Sequence, residues 1–271
     1  MTKMSDRAYF ALDALNCSGL KDFAKSPYHF WYKHLNPDRA PEEPSKALRL
    51  GSAVHVRTLE GLKAFDEAYA RAVKFDRRTT AGKEGYAAFE AANKDKTILD
   101  PDEWEEVVNI SSAVLKSELA SSLVEGRNGY SEEVIQCLHP EAGILMKAKM
   151  DRIQTIGGET WIVDLKTTRD ASPSDFMKSC ANFKYHWQAA FYMDVLSWSG
   201  DFGQPVGFAF VVVEKQPPYG VSVFQASEQF LQIGRDQYRE AMDRFMVCKE
   251  QNEWPGLDQS IQSLDLPRWA L

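Results

Sequence analysis

The stretch WIVDLKTT, residues 161–168, carries the pattern that decides the fold. Its side chains alternate as in a strand, which predicts Trp161, Val163 and Leu165 on one face, toward a core. Asp164 and Lys166 then share the other face. A surface hairpin with a cross-strand salt bridge is one interpretation of this pair. A charged pair that ends an almost wholly apolar strand favours a functional site instead, because burying charges is costly without a counter-ion.

Two more β-rich runs precede this strand. They are EEVIQCL (132–138) and ILMKAKMDRI (144–153), joined by the turn-like HPEAG, and QTIGGE leads on to the third strand. A hairpin between the second and third strands brings Asp151 beside Asp164. Two carboxylates and Lys166 on one wall predict a divalent cation, and carboxylate oxygens suit Mg²⁺ or Mn²⁺. Lys166 would orient water or stabilise charge that grows on a phosphate.

The rest of the chain reads as helices around these strands. Up to residue 125 we expect mainly helices, with Ser18 as an N-cap. The predicted segments are helices over 47–73, 84–95, 101–125, 174–198 and 228–250, and strands over 207–215 and 220–227. This order predicts a mixed α/β fold with a helical N-terminal portion. We expect one domain over 1–271, with a helical portion (1–125) and an α/β core with a C-terminal tail (126–271).

Composition and charge limit the possible functions. The 271 residues carry a net charge of −7, which argues against a surface coated in basic charge. Residues 1–100 hold 17 basic and 14 acidic residues, so an anionic partner is expected there. In the basic loop 74–83, Arg77, Arg78 and Lys83 are candidates to bind phosphates, although such residues often form only a solvated loop.

Cysteine spacing and apolar runs add two exclusions. Four isolated cysteines without a CxxC pair argue against a zinc or iron–sulfur site. The N-terminus lacks the apolar region of a signal peptide, and no apolar run approaches the roughly 20 residues of a membrane span. We therefore expect a cytoplasmic protein with no membrane partner.

Six segments in this order resemble the PD-(D/E)xK nuclease superfamily, in particular its RecB-like branch and the RecE-type exonucleases of phages and prophages. The resemblance implies a restriction-endonuclease-like core, a central mixed sheet flanked by helices. The segments are LRLGSAVHVRTLEG (48–61), FDRRTTAGK (75–83), GILMKAKMDRI (143–153), WIVDLKTTRDAS (161–172), YHWQAAFYMDVL (185–196), and VVVEKQPPYGVSVF (211–224) with the ending LPRWA (266–270).

The resemblance implies a role for each matching residue. Asp151 and Asp164 would bind the metal with the Leu165 carbonyl, and Lys166 would position or activate the attacking water. His55 would lie at the metal or near the scissile phosphate. A glutamate before the first strand would complete the acidic set; spacing favours Glu132, and Glu133 stays open. Gln188 and Tyr192 would line the site from one helix face.

One departure from the family pattern is Lys149-Met150, which stands where the family often has Arg-Pro before the first aspartate. The proline is commonly relaxed in the superfamily, so we still expect an active enzyme.

The resemblance also implies a function. It points to a Mg²⁺-dependent exonuclease, with Mn²⁺ as a substitute, that digests linear double-stranded DNA from 5′ ends and leaves a 3′ single strand for recombination by single-strand annealing. It implies a homo-oligomeric ring, a trimer or tetramer, and a RecT-type annealing protein as partner. The alternatives are another RecB-like or Cas4-like nuclease, acting as an endonuclease or on single strands, and a non-catalytic module that binds DNA ends.

Overall fold

Helices dominate the N-terminal part, as the sequence predicts. The computed structural model describes residues 4, 6–40, 45–126 and 128–266, so residues 267–270 of the LPRWA motif lie outside the described residues. The elements of this part are α1 (Asp6–Ala11), α2 (Cys17–Phe23), α3 (Pro27–His34), α4 (Lys46–His55), a π-helical turn (Val56–Glu60), α5 (Gly61–Ala68), β1 (Tyr69–Arg71), α6 (Thr80–Ala92), β2 (Thr97–Leu99), α7 (Pro101–Lys116) and α8 (Glu118–Val124).

Four details of this part differ from the sequence prediction, and one is that the helix predicted over 101–125 is two helices, α7 and α8, separated by the extended Ser117. Asn16, and not Ser18, caps α2, because its Oδ1 accepts a hydrogen bond from the Gly19 amide at 2.7 Å. The helix predicted over 47–73 is interrupted and ends at Ala68, since Gly61 takes a positive φ of 87° and β1 pairs with β2 in parallel. Lys83 lies in the first turn of α6 instead of in the basic loop.

The second half of the chain supplies the central sheet and three helices, and every strand expected there is present. The elements are β3 (Gly129–Leu138), β4 (Leu145–Ile156), β5 (Glu159–Thr168), α9 (Pro173–Asn182), α10 (Tyr185–Ser199), β6 (Pro205–Glu214), β7 (Val221–Gln225) and α11 (Glu228–Gln251). The predicted helix 174–198 is two helices. Lys184 has left-handed backbone angles, φ 51° and ψ 49°, and ends the run between α9 and α10.

The sheet is mixed and has the order β3-β4-β5-β6-β7. Its only parallel pair among the described strands is β5 with β6, and the other neighbours are antiparallel. A right-handed crossover through helices is the usual way to join such a parallel pair, and α9 and α10 lie between these two strands in the chain. The predicted α/β class, a central mixed sheet flanked by helices, is confirmed.

Each face of the sheet packs on its own hydrophobic cluster. Val163 and Leu165 of β5 contact the cluster that includes α4, α7 and α8, as the alternation in WIVDLKTT predicts. Ile162 contacts the opposite cluster, which includes α2, α10 and α11. Burial of these apolar side chains is the main stabilising contribution to the fold. Within the part of the chain that the structure describes, no helix has the length and apolar character needed to cross a bilayer.

Candidate metal-dependent active site

The antiparallel pairing of β4 with β5 brings the two predicted aspartates together. Arg152 pairs with Val163, so the next residues along the two strands are Asp151 and Asp164. The Leu165 amide donates a hydrogen bond to Asp151 Oδ2 at 2.8 Å, which fixes this carboxylate against β5. Asp151 was expected to end its strand, but β4 continues to Ile156. The metal role of the Leu165 carbonyl stays a prediction.

The strands are distorted at this point. Met150 and Ile153 contact the same hydrophobic cluster although they are three residues apart, so the alternation of β4 is interrupted around Asp151. On β3, Glu132 has a φ of 59°, in a region where a residue with a side chain is strained. Strain of this kind is concentrated at functional sites.

Glu132 is the glutamate that the structure brings to Asp151. Its Oε2 lies 2.6 Å from Lys149 Nζ, an ion pair on neighbouring strands. Burial, followed by the negative charge of Asp151, raises the pKa of Glu132 above its ordinary value, although Lys149 and His55 oppose the shift. Of the two candidates, Glu133 lies outside this acidic cluster. The geometry therefore favours Glu132.

His55 ends α4 and faces the same carboxylates. Its Nδ1 lies 3.4 Å from Asp151 Oδ2. Burial alone would lower the pKa of His55, but the Asp151 carboxylate and, to a smaller extent, Glu132 outweigh it and raise the pKa to about 9. The same pairing lowers the pKa of Asp151, in spite of its burial. His55 is thus the basic partner of Asp151, as Lys149 is of Glu132.

These three residues fit a divalent cation. One ligand atom each from His55, Glu132 and Asp151 lies within 4.8 Å of the others. Ligand atoms about 2.0–2.2 Å from one ion are separated by up to about 4.4 Å, so the cluster needs only small adjustments. The raised pKa of Glu132 is the second sign of fit, because a bound cation would remove the repulsion between the two carboxylates.

Asp164 and Lys166 form a buried ion pair beside this cluster. Asp164 is 1% exposed, and its Oδ2 pairs with Lys166 Nζ. Burial, together with Asp151, raises the pKa of Asp164 to about 6 against the opposing effect of Lys166. Burial lowers the pKa of Lys166, but Asp164 and Asp151 outweigh it and raise the pKa. The expected placement of both residues on one face is confirmed, with Asp164 turned toward Lys166.

The two residues predicted on α10, Gln188 and Tyr192, differ in what they contact. Gln188 Nε2 donates a hydrogen bond to Asp164 Oδ1 at 2.6 Å, so it holds the carboxylate directly. Tyr192, one turn later, packs against the hydrophobic cluster on that face. Burial raises the pKa of the Tyr192 hydroxyl well above its ordinary value, and the hydroxyl is therefore neutral. Gln188 is a positioning residue in this arrangement.

The site opens into a cavity of about 590 Å³. His55, Glu132, Asp151, Leu165 and Lys166 all line it. Among the described residues that line it, none is one of the three basic residues predicted to contact DNA. Arg77 instead stacks on the ring of Tyr86 at 4.1 Å, beside Arg78 and Lys83 in the exposed segment around the start of α6. A DNA-binding role for these residues stays a prediction.

Lys149 and Tyr185 line the cavity and are not among the predicted site residues. Lys149 pairs with Glu132, and Tyr185 lines the cavity with Lys166 Nζ 4.9 Å from its ring centroid. Tyr185 stands three residues before Gln188 on α10, so helical spacing could have indicated it. Strand alternation could also have indicated Lys149, because it stands two residues before Asp151 in the same strand.

A mixed sheet that carries D-(12 residues)-DLK on two adjacent strands, with an upstream glutamate and flanking helices, defines the PD-(D/E)xK class. Residues 16–267 match the family described as "PDDEXK-like domain of unknown function (DUF3799)". The chain belongs to this family. A search of curated proteins finds no match.

Similarity to solved structures supports the same fold. The crystal structure of a "Putative exonuclease" from Eubacterium rectale has 16% sequence identity and a TM-score of 0.61, and the match covers 93% of this chain and 88% of that one. The solved structure of SSO0001 has 15% identity and a TM-score of 0.32, over 73% of this chain and 84% of that one. The second score is too low to support an argument.

Proposed function

We propose that the protein is a metal-dependent DNA exonuclease that hydrolyses phosphodiester bonds of linear double-stranded DNA. The observation that carries this proposal is the cluster of His55, Glu132 and Asp151, which lines an open cavity with Lys166 and lies beside the buried Asp164. Membership of the PDDEXK-like family supports a nuclease and a divalent metal.

The chain's own residues have distinct tasks in this proposal. His55, Glu132 and Asp151 would hold the ion, and Asp164, buried beside them, would complete the acidic set. When bound, the ion supplies Lewis-acid activation of water and neutralises charge on the phosphate. Lys166, fixed by Asp164, places a positive charge where charge develops on the phosphate. Gln188 keeps Asp164 in position by its hydrogen bond.

The ligand types point to Mg²⁺ with Mn²⁺ as a substitute. Carboxylate oxygens suit both ions, whereas an imidazole nitrogen is a ligand more typical of transition metals. His55 therefore adds affinity for Mn²⁺ relative to Mg²⁺. We expect Mn²⁺ to support cleavage at lower concentrations than Mg²⁺ does.

The finer parts of the proposal rest on the resemblance to RecE-type exonucleases. These parts are digestion from 5′ to 3′, a 3′ single strand as product for recombination, a ring of three or four copies, and a RecT-type annealing protein as partner. The direction of digestion and the single-stranded product can be tested in a single assay.

The experiment compares a linear duplex, labelled at its 5′ or its 3′ end, with a closed circle of the same sequence. We expect Mg²⁺-dependent loss of the 5′ label as mononucleotides, persistence of the 3′ strand and an intact circle. Cleavage of the circle would instead indicate an endonuclease. Binding to ends without cleavage in Mg²⁺ or Mn²⁺ would refute the enzymatic proposal and leave a DNA-end-binding module.

A further inference from the structure

An exposed phenylalanine stands at the break between α9 and α10. Phe183 follows the last residue of α9, and its side chain is 59% exposed. The left-handed Lys184 comes next and turns the chain into α10. A non-glycine residue in this conformation is strained, so the break is costly. The exposed ring thus stands at a defined corner of the fold and not on a flexible loop end.

This ring continues an aromatic surface that leads into the active-site cavity. Phe183 stacks on Tyr185, with ring centroids 5.7 Å apart and an angle of 30° between the planes. Tyr185 lines the cavity, and Lys166 Nζ lies 4.9 Å from the centroid of its ring. The rings of Phe183 and Tyr185 therefore form a continuous surface from the exposed corner to Lys166.

Lysines lie close to Tyr185 and to the neighbouring Trp187. Lys21 Nζ, from α2, lies 5.6 Å from the centroid of Tyr185, and Lys184 Nζ lies 4.2 Å from that of Trp187. Burial, followed by the positive charges of Lys166 and Lys184, lowers the pKa of Lys21, although Cys17 and Asp164 oppose the shift. The Asp164 carboxylate is already paired with Lys166. Lys21, Lys166 and Lys184 therefore lie at this corner, beside an exposed aromatic face.

Aromatic faces next to lysines are the features with which proteins bind single-stranded nucleic acid. Inside a duplex both faces of a base are stacked on its neighbours, whereas an unpaired base has both faces free, and the phosphate that follows needs a cation. The continuity with the cavity favours a nucleic-acid strand over any other anionic partner, because a strand whose scissile phosphate lies at Lys166 must place its neighbouring nucleotide near Tyr185.

We propose that the exposed ring of Phe183, backed by Tyr185, stacks an unpaired base next to the scissile phosphate, while Lys21 binds an adjacent phosphate. The inference rests on the proposed nuclease function and specifies its substrate: the strand enters the site separated from its complement. A duplex end must open by at least one base pair before it can be cleaved. Ends that fray easily are then better substrates than stable ends.

The test measures base stacking without cleavage. A single-stranded oligonucleotide of thymidines carries one 2-aminopurine near its 5′ end, and it is titrated with protein in EDTA. Stacking on an aromatic side chain quenches 2-aminopurine fluorescence, which a purely structural role of Phe183 would not cause. The wild-type protein should quench the signal. Phe183→Ala should remove most of the quenching and weaken binding roughly 5- to 150-fold.

Three variants control this result. Phe10, in α1, is 72% exposed, and Phe10→Ala should behave as wild type. Phe183→Trp should restore quenching. Lys21→Met should reduce the slope of log affinity against log salt concentration by about 0.7, whereas Lys21→Arg should keep the wild-type slope. Thermal unfolding confirms that each variant is folded.

Two outcomes would overturn the inference: wild-type protein that binds without quenching, or Phe183→Ala that quenches as wild type does. Cleavage of a linear duplex in Mg²⁺ is measured separately. An active enzyme without stacking refutes this inference alone, while an inactive wild-type protein refutes the proposed function.

Discussion

Two buried charge clusters of this protein differ in how their charges are balanced. Between α10 and α11, Asp194 accepts hydrogen bonds from Arg235 at 2.9–3.1 Å, from Arg239 at 3.1 Å and from the Tyr238 hydroxyl at 2.5 Å. Donors surround this single carboxylate, so its charge is compensated by the fold itself. We call these four residues the helix-pair network.

The active-site cluster has the opposite character. Glu132 and Asp151 approach one another, and Glu132 keeps a raised pKa although Lys149 and His55 lie nearby. The cluster also faces an open cavity, whereas Tyr238 is completely buried. The comparison teaches that the helix-pair network surrounds one carboxylate with donors inside the fold, whereas the active-site cluster holds two carboxylates close together at an open cavity.

The largest effect on stability is expected from the helix-pair network. Asp194→Ala would leave two arginines and a buried hydroxyl without their acceptor, at a cost of about 3–5 kcal/mol in the free energy of unfolding. Urea unfolding of the variant beside wild type measures this value. Asp236→Ala, an exposed aspartate on α11, should change stability little. Equal midpoints for Asp194→Ala and wild type would show that the network is not stabilising.

The next effect concerns metal binding at the active-site cluster. An ion at 100 times its dissociation constant should raise the free energy of unfolding by about 2.7 kcal/mol, because it binds the folded state. Glu132→Gln should lose most of this gain, and Glu133→Gln should keep it. Thermal unfolding with Mn²⁺ and with EDTA decides between the two glutamates. A gain that survives Glu132→Gln but not Glu133→Gln would reverse the assignment.

The smallest effect is expected from the basic segment before and within α6. If Arg77, Arg78 and Lys83 contact phosphates, replacing all three with alanine should reduce the salt dependence of duplex binding by up to about three in slope. Stability should be unchanged, since the three residues are exposed. Lys63→Ala, at a side chain that is 92% exposed, is the control. An unchanged slope in the triple variant would exclude these residues from the DNA interface.

The sequence predicts the parts of this fold that depend on local patterns. The β-rich runs 132–138, 144–153 and 160–166 indicate the three strands of the site because turn-like segments bound them. Local patterns do not predict the pairing of Tyr69–Arg71 with Thr97–Leu99, because strands of three residues form only where distant segments meet. Lys184 gives no local signal for its left-handed conformation, which residues other than glycine rarely adopt.

The same division holds for the site. Strand alternation and the predicted hairpin indicate that Asp151, Asp164 and Lys166 lie together. The roles of His55 and Gln188 come only from the resemblance. The unusual φ of Glu132 could not be foreseen, because strained conformations arise from the surrounding structure. Lys21 was missed because it comes from a helix more than a hundred residues away in sequence.

Nuclease activity of wild type, Asp164→Ala and Lys166→Ala tests the central claim most directly. The substrate is an end-labelled linear duplex with Mg²⁺ or EDTA, and circular dichroism verifies that each variant is folded. The account predicts Mg²⁺-dependent digestion by the wild-type protein and a loss of at least about 10³-fold in either variant. Digestion at the wild-type rate by either folded variant would contradict it.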